Sequence, residues 1–337
     1  MTKKKGVLLV NLGTPDSTSV PDVRKYLREF LMDKRVIDIP PFKRWLLINL
    51  IIAPFRAPKS AKEYDRLFDE KGSPLKYYGF ELRDKLRKAI DDDWQIELAM
   101  RYQNPSIAEG LDALKDCTSI HVIPLFPQYA SASTGSVQDK VMEIVKDWQI
   151  IPDITFTSQF FEEELFLETI ADNARKLMEK TNYDHFLFSY HGIPERQITK
   201  GDISNTCSFG NCCDSMTPKN RYCYRAQCYA TTRLLAEKLG LKEDQFSVSF
   251  QSRLGKTPWI KPYTDVLLEK LAEQGNKKVL AFSPSFIADC LETTVEVGET
   301  YQEDFIKAGG DQWDLVPSLN VEDKWVECLK EMIVRNN

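Results

Sequence analysis

Residues 207–228 read CSFGNCCDSMTPKNRYCYRAQC and hold Cys207, Cys212, Cys213, Cys223 and Cys228, five of the chain's eight cysteines. In a reducing compartment, thiols gathered in this way are more often metal ligands than disulfide partners. Their spacing, C-x4-CC-x9-C-x4-C, fits neither a CxxC zinc ribbon nor a ferredoxin run. Structural zinc, an iron–sulfur cluster and free thiols all stay open on spacing alone. A second chemistry belongs to His191, which follows the apolar run FLFSY and directly precedes Gly192. An imidazole titrates near neutral pH and suits proton abstraction or metal ligation. A strand-end histidine that only bonds the next turn is the rival reading, and position does not separate the two. His121 and His185 are read as structural.

The third element is ADCLETTVEVGET, residues 288–300. On an α-helix Glu292, Glu296 and Glu299 share one face, and their repulsion costs stability unless a cation or proton intervenes. Such a face suits delivery of a hard or borderline divalent cation, although taken alone it is more often simply solvated.

Short apolar runs ending in Gly or Pro must position these groups, and they alternate with amphipathic stretches in the rhythm of β-α units around a parallel sheet. Strands are predicted at 6–13, 95–102, 119–126, 185–192, 246–253 and 277–284. Helices are predicted at 19–31, 80–91, 161–180, 229–239, 263–274 and 321–335. The runs come in two matching sets: Gly13 and Pro15 answer Gly192 and Pro194, Arg101 answers Arg253, and Pro127 and Tyr129 answer Pro284 and Phe286. This order predicts an internal duplication. The expected fold is α/β, with two similar Rossmann-like domains of four-stranded parallel sheets flanked by helices. Residues 1–155 form the first, 156–315 the second with a cysteine-rich insertion at 203–228, and 316–337 a helix packing back on them. Ligands of open parallel sheets lie beyond the carboxyl ends of the strands, so the residues there should line a cleft between the domains.

A formal charge of −5, without a long basic run, gives no surface for tracking phosphates and sets nucleic acid aside. GVLLV (6–10) is too short for a signal peptide core, and no run approaches the roughly 20 apolar residues of a membrane span. A cytoplasmic protein is expected. Residues 42–56, FKRWLLINLIIAPFR, set a short apolar run between Lys43, Arg44 and Arg56, which suits an element lying in a membrane interface or an ordinary buried helix.

Taken in order, NLGTP (11–15), GSPL (72–75), MRYQNP (100–105), FPQYASASTGS (126–136), SYHGIPER (189–196), QSRLGKTPWIKPYTD (251–265) and FIADCLET (286–293) closely follow one family over nearly the whole chain. The chain resembles ferrochelatase, the enzyme that inserts Fe2+ into a porphyrin. The resemblance implies the chelatase fold and a lyase activity in haem biosynthesis. It makes His191 the residue that binds the incoming metal or receives a pyrrole proton, Glu292 the carboxylate working opposite it, and Glu296 the next carboxylate of a row conducting metal or protons. It places Arg101, Tyr102, Trp259 and Phe286 against the porphyrin. Leu12, where the coproporphyrin branch has tyrosine, is similar to the protoporphyrin branch and implies protoporphyrin IX as substrate. It turns 42–56 into the apolar lip of the site and implies peripheral association with the inner face of a membrane.

The family often has histidine where this chain has Cys290, which alters a contact to Glu292. The cysteine stretch sits where the family passes almost directly to a tyrosine-bearing helix. Some ferrochelatases carry a [2Fe-2S] cluster, mostly on a C-terminal extension; here the resemblance to members with internal cysteines implies a cluster held by four of Cys207, Cys212, Cys213, Cys223 and Cys228. Cys212 and Cys213 are expected to compete for one place, since adjacent side chains point apart. A sirohydrochlorin or coproporphyrin chelatase, or an iron–sulfur sensor that binds haem without making it, are the alternatives.

Overall fold

The computed structural model describes residues 4–255 and 257–336. In chain order these form β1 (Lys5–Gly13), α1 (Val20–Met32), α2 (Pro41–Leu46), a π-helical stretch Leu47–Ile52, α3 (Ala53–Leu67), α4 (Pro74–Ala89), β2 (Trp94–Tyr102), α5 (Ile107–Leu114), β3 (Ser119–Pro124), α6 (Thr134–Val145) and β4 (Asp153–Phe156). They continue as α7 (Glu164–Met178), β5 (His185–His191), α8 (Glu195–Gly201), α9 (Tyr224–Leu239), β6 (Phe246–Gln251), α10 (Thr264–Glu273), β7 (Lys278–Phe282), a π-helix Leu291–Thr300, α11 (Tyr301–Lys307), β8 (Gln312–Leu315) and α12 (Asp323–Arg335).

The chain divides into two compact units. One comprises Met1–Phe126, Ala130–Gln159 and Val326–Asn337; the other comprises Pro127–Tyr129 and Phe160–Trp325. The last twelve residues therefore belong to the first unit.

Each unit is built on a four-stranded sheet, ordered β2-β1-β3-β4 in the first and β6-β5-β7-β8 in the second. Every pairing is parallel. The shared order is the physical form of the duplication. In both units the second-position strand is almost wholly buried, as a central parallel strand covered on both faces must be. Leu8 and Val10 of β1 pack with Ala99, Val122, Leu111 of α5 and Val137 and Val141 of α6. Leu187 of β5 meets Val279, Ala281, Leu268 of α10 and Trp313 of β8 in the second core. The two strands that periodicity did not announce, β4 and β8, are four-residue outer strands with half-exposed patterns, too short and too polar to register as apolar runs.

One matched pair does not hold. The backbone N–H of Met100 reaches the Pro105 carbonyl and that of Phe250 the Pro262 carbonyl, which aligns the ends of β2 and β6. On that alignment the counterpart of Arg101 is Gln251, and Arg253 falls two residues later. Arg253 is exposed and pairs with Asp265 at 2.5 Å, whereas only 13% of the Arg101 side chain is exposed.

His121 and His185 are structural, as expected. Nε2 of His121 lies 2.8 Å from the Thr157 hydroxyl, and Nε2 of His185 lies 2.9 Å from that of Ser247. Burial pulls both imidazoles down from 6.5 to about 4. In the unfolded chain they gain protons near pH 6.5, so each contributes stability above that pH and loses it as pH falls towards 4. The expected loss is about 3 kcal/mol per histidine by pH 4. The urea midpoint should therefore drop between pH 6.5 and 4, and His185→Gln should flatten part of that slope; a midpoint independent of pH across the window would refute this account.

Candidate active site

β5 ends at His191, and the turn behind it is tightly packed. A Cβ on Gly192 would come within 2.7 Å of the Gln251 carbonyl and 3.2 Å of Trp259 Cε3, so only glycine lets the indole and the neighbouring strand approach this closely. Nδ1 of His191 lies 2.6 Å from the Gly192 carbonyl. A carbonyl only accepts, so Nδ1 carries the proton and the neutral ring keeps its lone pair on Nε2. The bond to the turn fixes the tautomer that leaves the lone pair on Nε2. Phe286 stands edge-on to the ring, with centroids 6.4 Å apart. Trp259 is anchored through Nε1 to the Leu254 carbonyl at 2.9 Å.

The carboxylate row corrects the sequence reading, since Leu291–Thr300 is a π-helix and not an α-helix. Its hydrogen bonds span five residues, and the N–H of Tyr301 goes to the Glu296 carbonyl. The wider turn brings Tyr301 onto the same side as Glu296, where its hydroxyl donates to Oε1 at 3.0 Å. Oε2 of Glu296 accepts from Gln251 Nε2 at 3.1 Å and from the Ser252 hydroxyl. Ser252 holds a φ of +65°, a left-handed conformation unusual for serine, at the point where its hydroxyl meets the carboxylate. Burial raises the pKa of Glu296, opposed by the Ser252 hydrogen bond and the His191 charge, while Glu292 raises it further. His191, Glu292 and Glu296 are thus electrostatic neighbours. Cys290 stays within electrostatic reach of Glu292, since burial first and then the Glu292 charge raise its thiol pKa.

The sequence reading missed Gln251, Ser252 and Tyr301. The first two stood inside a quoted motif, but their pairing with Glu296 depends on the end of β6 meeting the π-helix, which no local pattern encodes.

In the first unit, Gly13 closes β1 beside Leu12. Arg101 donates to Asp33 Oδ2 at 2.7 Å and to the Ser136 hydroxyl at 2.6 Å, and its guanidinium lies 4.5 Å from the Tyr102 ring centroid. Tyr102 is fully buried and its hydroxyl donates to Asp33 at 3.0 Å. This corrects its assignment: a phenol used up inside the network has no surface to offer a ligand, and Tyr102 instead supports Arg101 through Asp33. Leu12 and Arg101 are half-buried.

The five clustered cysteines lie between α8 and the second turn of α9, and all eight cysteines are free of disulfides. Cys212 and Cys213 do not point apart, because the short 3-10 turn Asn211–Cys213 brings their sulfurs to 3.9 Å. The Cys213 sulfur also accepts from Arg225 Nη1 at 2.9 Å, and the Cys212 sulfur accepts from the Ser208 N–H at 3.3 Å. Burial raises Cys212, but backbone N–H groups outweigh it and bring the thiol down to about 7; burial pushes Cys213 up to about 12 against the pull of Arg225. Cys207 and Cys223 feel the charge of Cys212, and Cys228 feels that of Cys213 and Cys223. Among the described residues, no three His, Cys, Asp or Glu side chains are arranged to hold a metal ion. The thiols are gathered without forming a closed ligand set.

Phe42, Trp45, Leu50, Ile51 and Phe55 of α2, the π-helical stretch and α3 are between 49% and 79% exposed. The segment is therefore not a buried helix. Arg44 turns inward, donating to the Ile37 carbonyl at 3.2 Å, which leaves Lys43 and Arg56 as the exposed cations. No described helix is long and apolar enough to cross a membrane.

Two copies of one four-stranded parallel topology, with a histidine closing the second-position strand of the second copy, define the chelatase fold. The structure of SirB from Bacillus subtilis with Fe3+ shares it, with a TM-score of 0.54 and 12% identity over 99% of this chain and 97% of that one. A family model described as Ferrochelatase matches residues 4–337. A ferrochelatase of Legionella pneumophila (strain Lens) is 46% identical over 98% of both chains, and one of Coxiella burnetii (strain Dugway 5J108-111) is 42% identical over 98% of this chain and 93% of its own. The chain belongs to the ferrochelatase family.

Proposed function

We propose that this protein inserts Fe2+ into protoporphyrin IX, the metal-insertion step of haem biosynthesis, with His191 and Glu292 working on the two sides of the macrocycle. Insertion replaces two pyrrole protons with a dication, so the site must take up two protons and strip water from the metal. The observation that carries the reading is the tautomer of His191, whose Nε2 lone pair is free to accept a pyrrole proton or to ligate the metal. Glu296, with its raised pKa and its Ser252, Gln251 and Tyr301 contacts, is suited to hold a proton and pass it on. Glu292 and Glu296 offer oxygen donors to the entering ion, and Trp259 and Phe286, beside His191, contact the porphyrin. Leu12 supports protoporphyrin over coproporphyrin.

Purified protein given protoporphyrin IX and Fe2+ without oxygen should yield metalloporphyrin absorbance. Porphyrin binding without turnover would sink the reading in favour of a haem-binding sensor, and faster turnover of coproporphyrin would overturn the substrate choice.

The exposed apolar segment supports peripheral attachment to the cytoplasmic side of a membrane. Fully burying one large apolar side chain contributes about 1.5–3 kcal/mol. Phe42→Ser with Phe55→Ser should therefore release most of the protein from sedimenting anionic vesicles while leaving turnover of detergent-dispersed porphyrin intact; undiminished sedimentation would remove the lip from the account.

We also infer that four of Cys207, Cys212, Cys213, Cys223 and Cys228 hold a [2Fe-2S] cluster. Support comes from five thiols each within electrostatic reach of at least one other and from N–H donors already directed at sulfur. When bound, the cluster would supply one-electron redox capacity, which Fe2+ insertion does not use. Anaerobically prepared protein should be coloured, and Cys223→Ser should bleach it; colourless wild-type protein would reject the cluster.

A further inference from the structure

The first turn of α9 is interleaved between the thiols and the strand end that carries His191. Cys223 caps the helix, Tyr224 opens it, and Arg225 reaches the Cys213 sulfur at 2.9 Å. Arg233, two turns further on, donates to the Cys213 carbonyl at 3.0 Å. Tyr224 points the other way. Its buried hydroxyl donates to the backbone carbonyl of His191 at 2.8 Å and lies 3.1 Å from the Ser285 hydroxyl. Cys228, one turn along the helix and fully buried, lies on the same helix face.

A phenol has one proton to give and two lone pairs to receive with. Its proton goes to His191, so Ser285 is placed as a donor to the oxygen. The residue held by that bond also donates from its ring to the next carbonyl, Gly192, so a shift of the His191 peptide reorients the imidazole that the chemistry needs.

We propose that Tyr224 is a positioning residue for His191, and that the first turn of α9, tied to Cys213 through Arg225, joins the cysteine-rich segment to the histidine. The assignment of His191 to proton transfer rests on the function proposed above; the hydrogen-bonded coupling does not. The segment then acts on metal insertion through the position of the imidazole, without taking part in the reaction itself.

Tyr224→Phe keeps the ring and removes the hydroxyl. Losing one such bond should lower kcat for metalloporphyrin formation about fivefold, with KM for porphyrin unchanged. A structural readout accompanies it in the full-length protein labelled with [13Cε1]-histidine. Only three histidines are present, and His191 is identified by the signal lost in His191→Gln. Tyr224→Phe should move that signal and leave those of His121 and His185 in place. Arg225→Gln, which cuts the tie to Cys213, should move it in the wild-type background but not in Tyr224→Phe, while Cys117→Ser leaves it still. If Arg225→Gln does not fold, Ser285→Ala removes the other partner of the tyrosine hydroxyl and should show the same dependence on Tyr224. An unmoved His191 signal in Tyr224→Phe, or equal movements in both backgrounds, would overturn the proposal. Wild-type protein that fails to turn over would instead overturn the functional reading, with the resonance experiment still deciding the coupling.

Discussion

His191→Ala is expected to lower kcat for metalloporphyrin formation by a factor of about 10²–10⁴, the range set by removing a positioned general base. A loss of 10³ corresponds to roughly 4 kcal/mol of transition-state stabilisation. The effect should fall on turnover and not on folding, because the ring is half-buried at the end of β5 and its hydrogen bond goes to its own turn. Porphyrin affinity, followed by fluorescence quenching, should change little, since the variant leaves the proposed apolar contacts, Trp259 and Phe286, in place. Full activity in this variant would remove His191 from the mechanism. Glu296→Gln tests the neighbouring role, for it preserves the contacts to Ser252 and Tyr301 in shape while removing a carboxylate that can take up a proton.

Gly13→Ala should show the largest effect on stability, at a position that touches no catalytic group. Gly13 has a φ of +109°, and a Cβ there would lie 2.0 Å from the Tyr102 carbonyl oxygen. The obstacle is backbone of the adjacent strand held in register, so it cannot swing aside. The cost should reach at least about 4 kcal/mol, the range reserved for backbone clashes and special dihedrals. For a unit of this size that means a fall in Tm of about 10 °C or more, if the chain folds at all. Gly240→Ala is the contrast. Gly240 also has a positive φ, +66°, but nothing lies within 4 Å of its added Cβ. Only the left-handed penalty of about 1–2 kcal/mol applies. Equal melting temperatures for the two variants would refute the steric argument. A soluble Gly13→Ala protein should also lose activity, because displacing Tyr102 displaces Asp33 and with it Arg101.

The sequence by itself determined the architecture and singled out the candidate site residues. Apolar runs long enough to be central strands, ending in glycine or proline, appear twice in the same order because a duplicated fold needs the same turn at the same strand end. His191 and the carboxylates were legible because their residue types are scarce or repeated, and Cys207 to Cys228 because thiols rarely crowd by chance. What stayed hidden was decided between segments distant in the chain. The π-helix at Leu291–Thr300 has no local signature; it brings Tyr301 to Glu296, while the end of β6 supplies Gln251 and Ser252. Tyr102 carried a family role on the page, yet the fold buries it against Asp33, some 69 positions earlier. The 3-10 turn, not residue spacing, sets the distance between the Cys212 and Cys213 sulfurs. Periodicity reports which face of an element avoids water; hydrogen-bond partners are chosen by which elements pack together, and only the tertiary structure makes that choice.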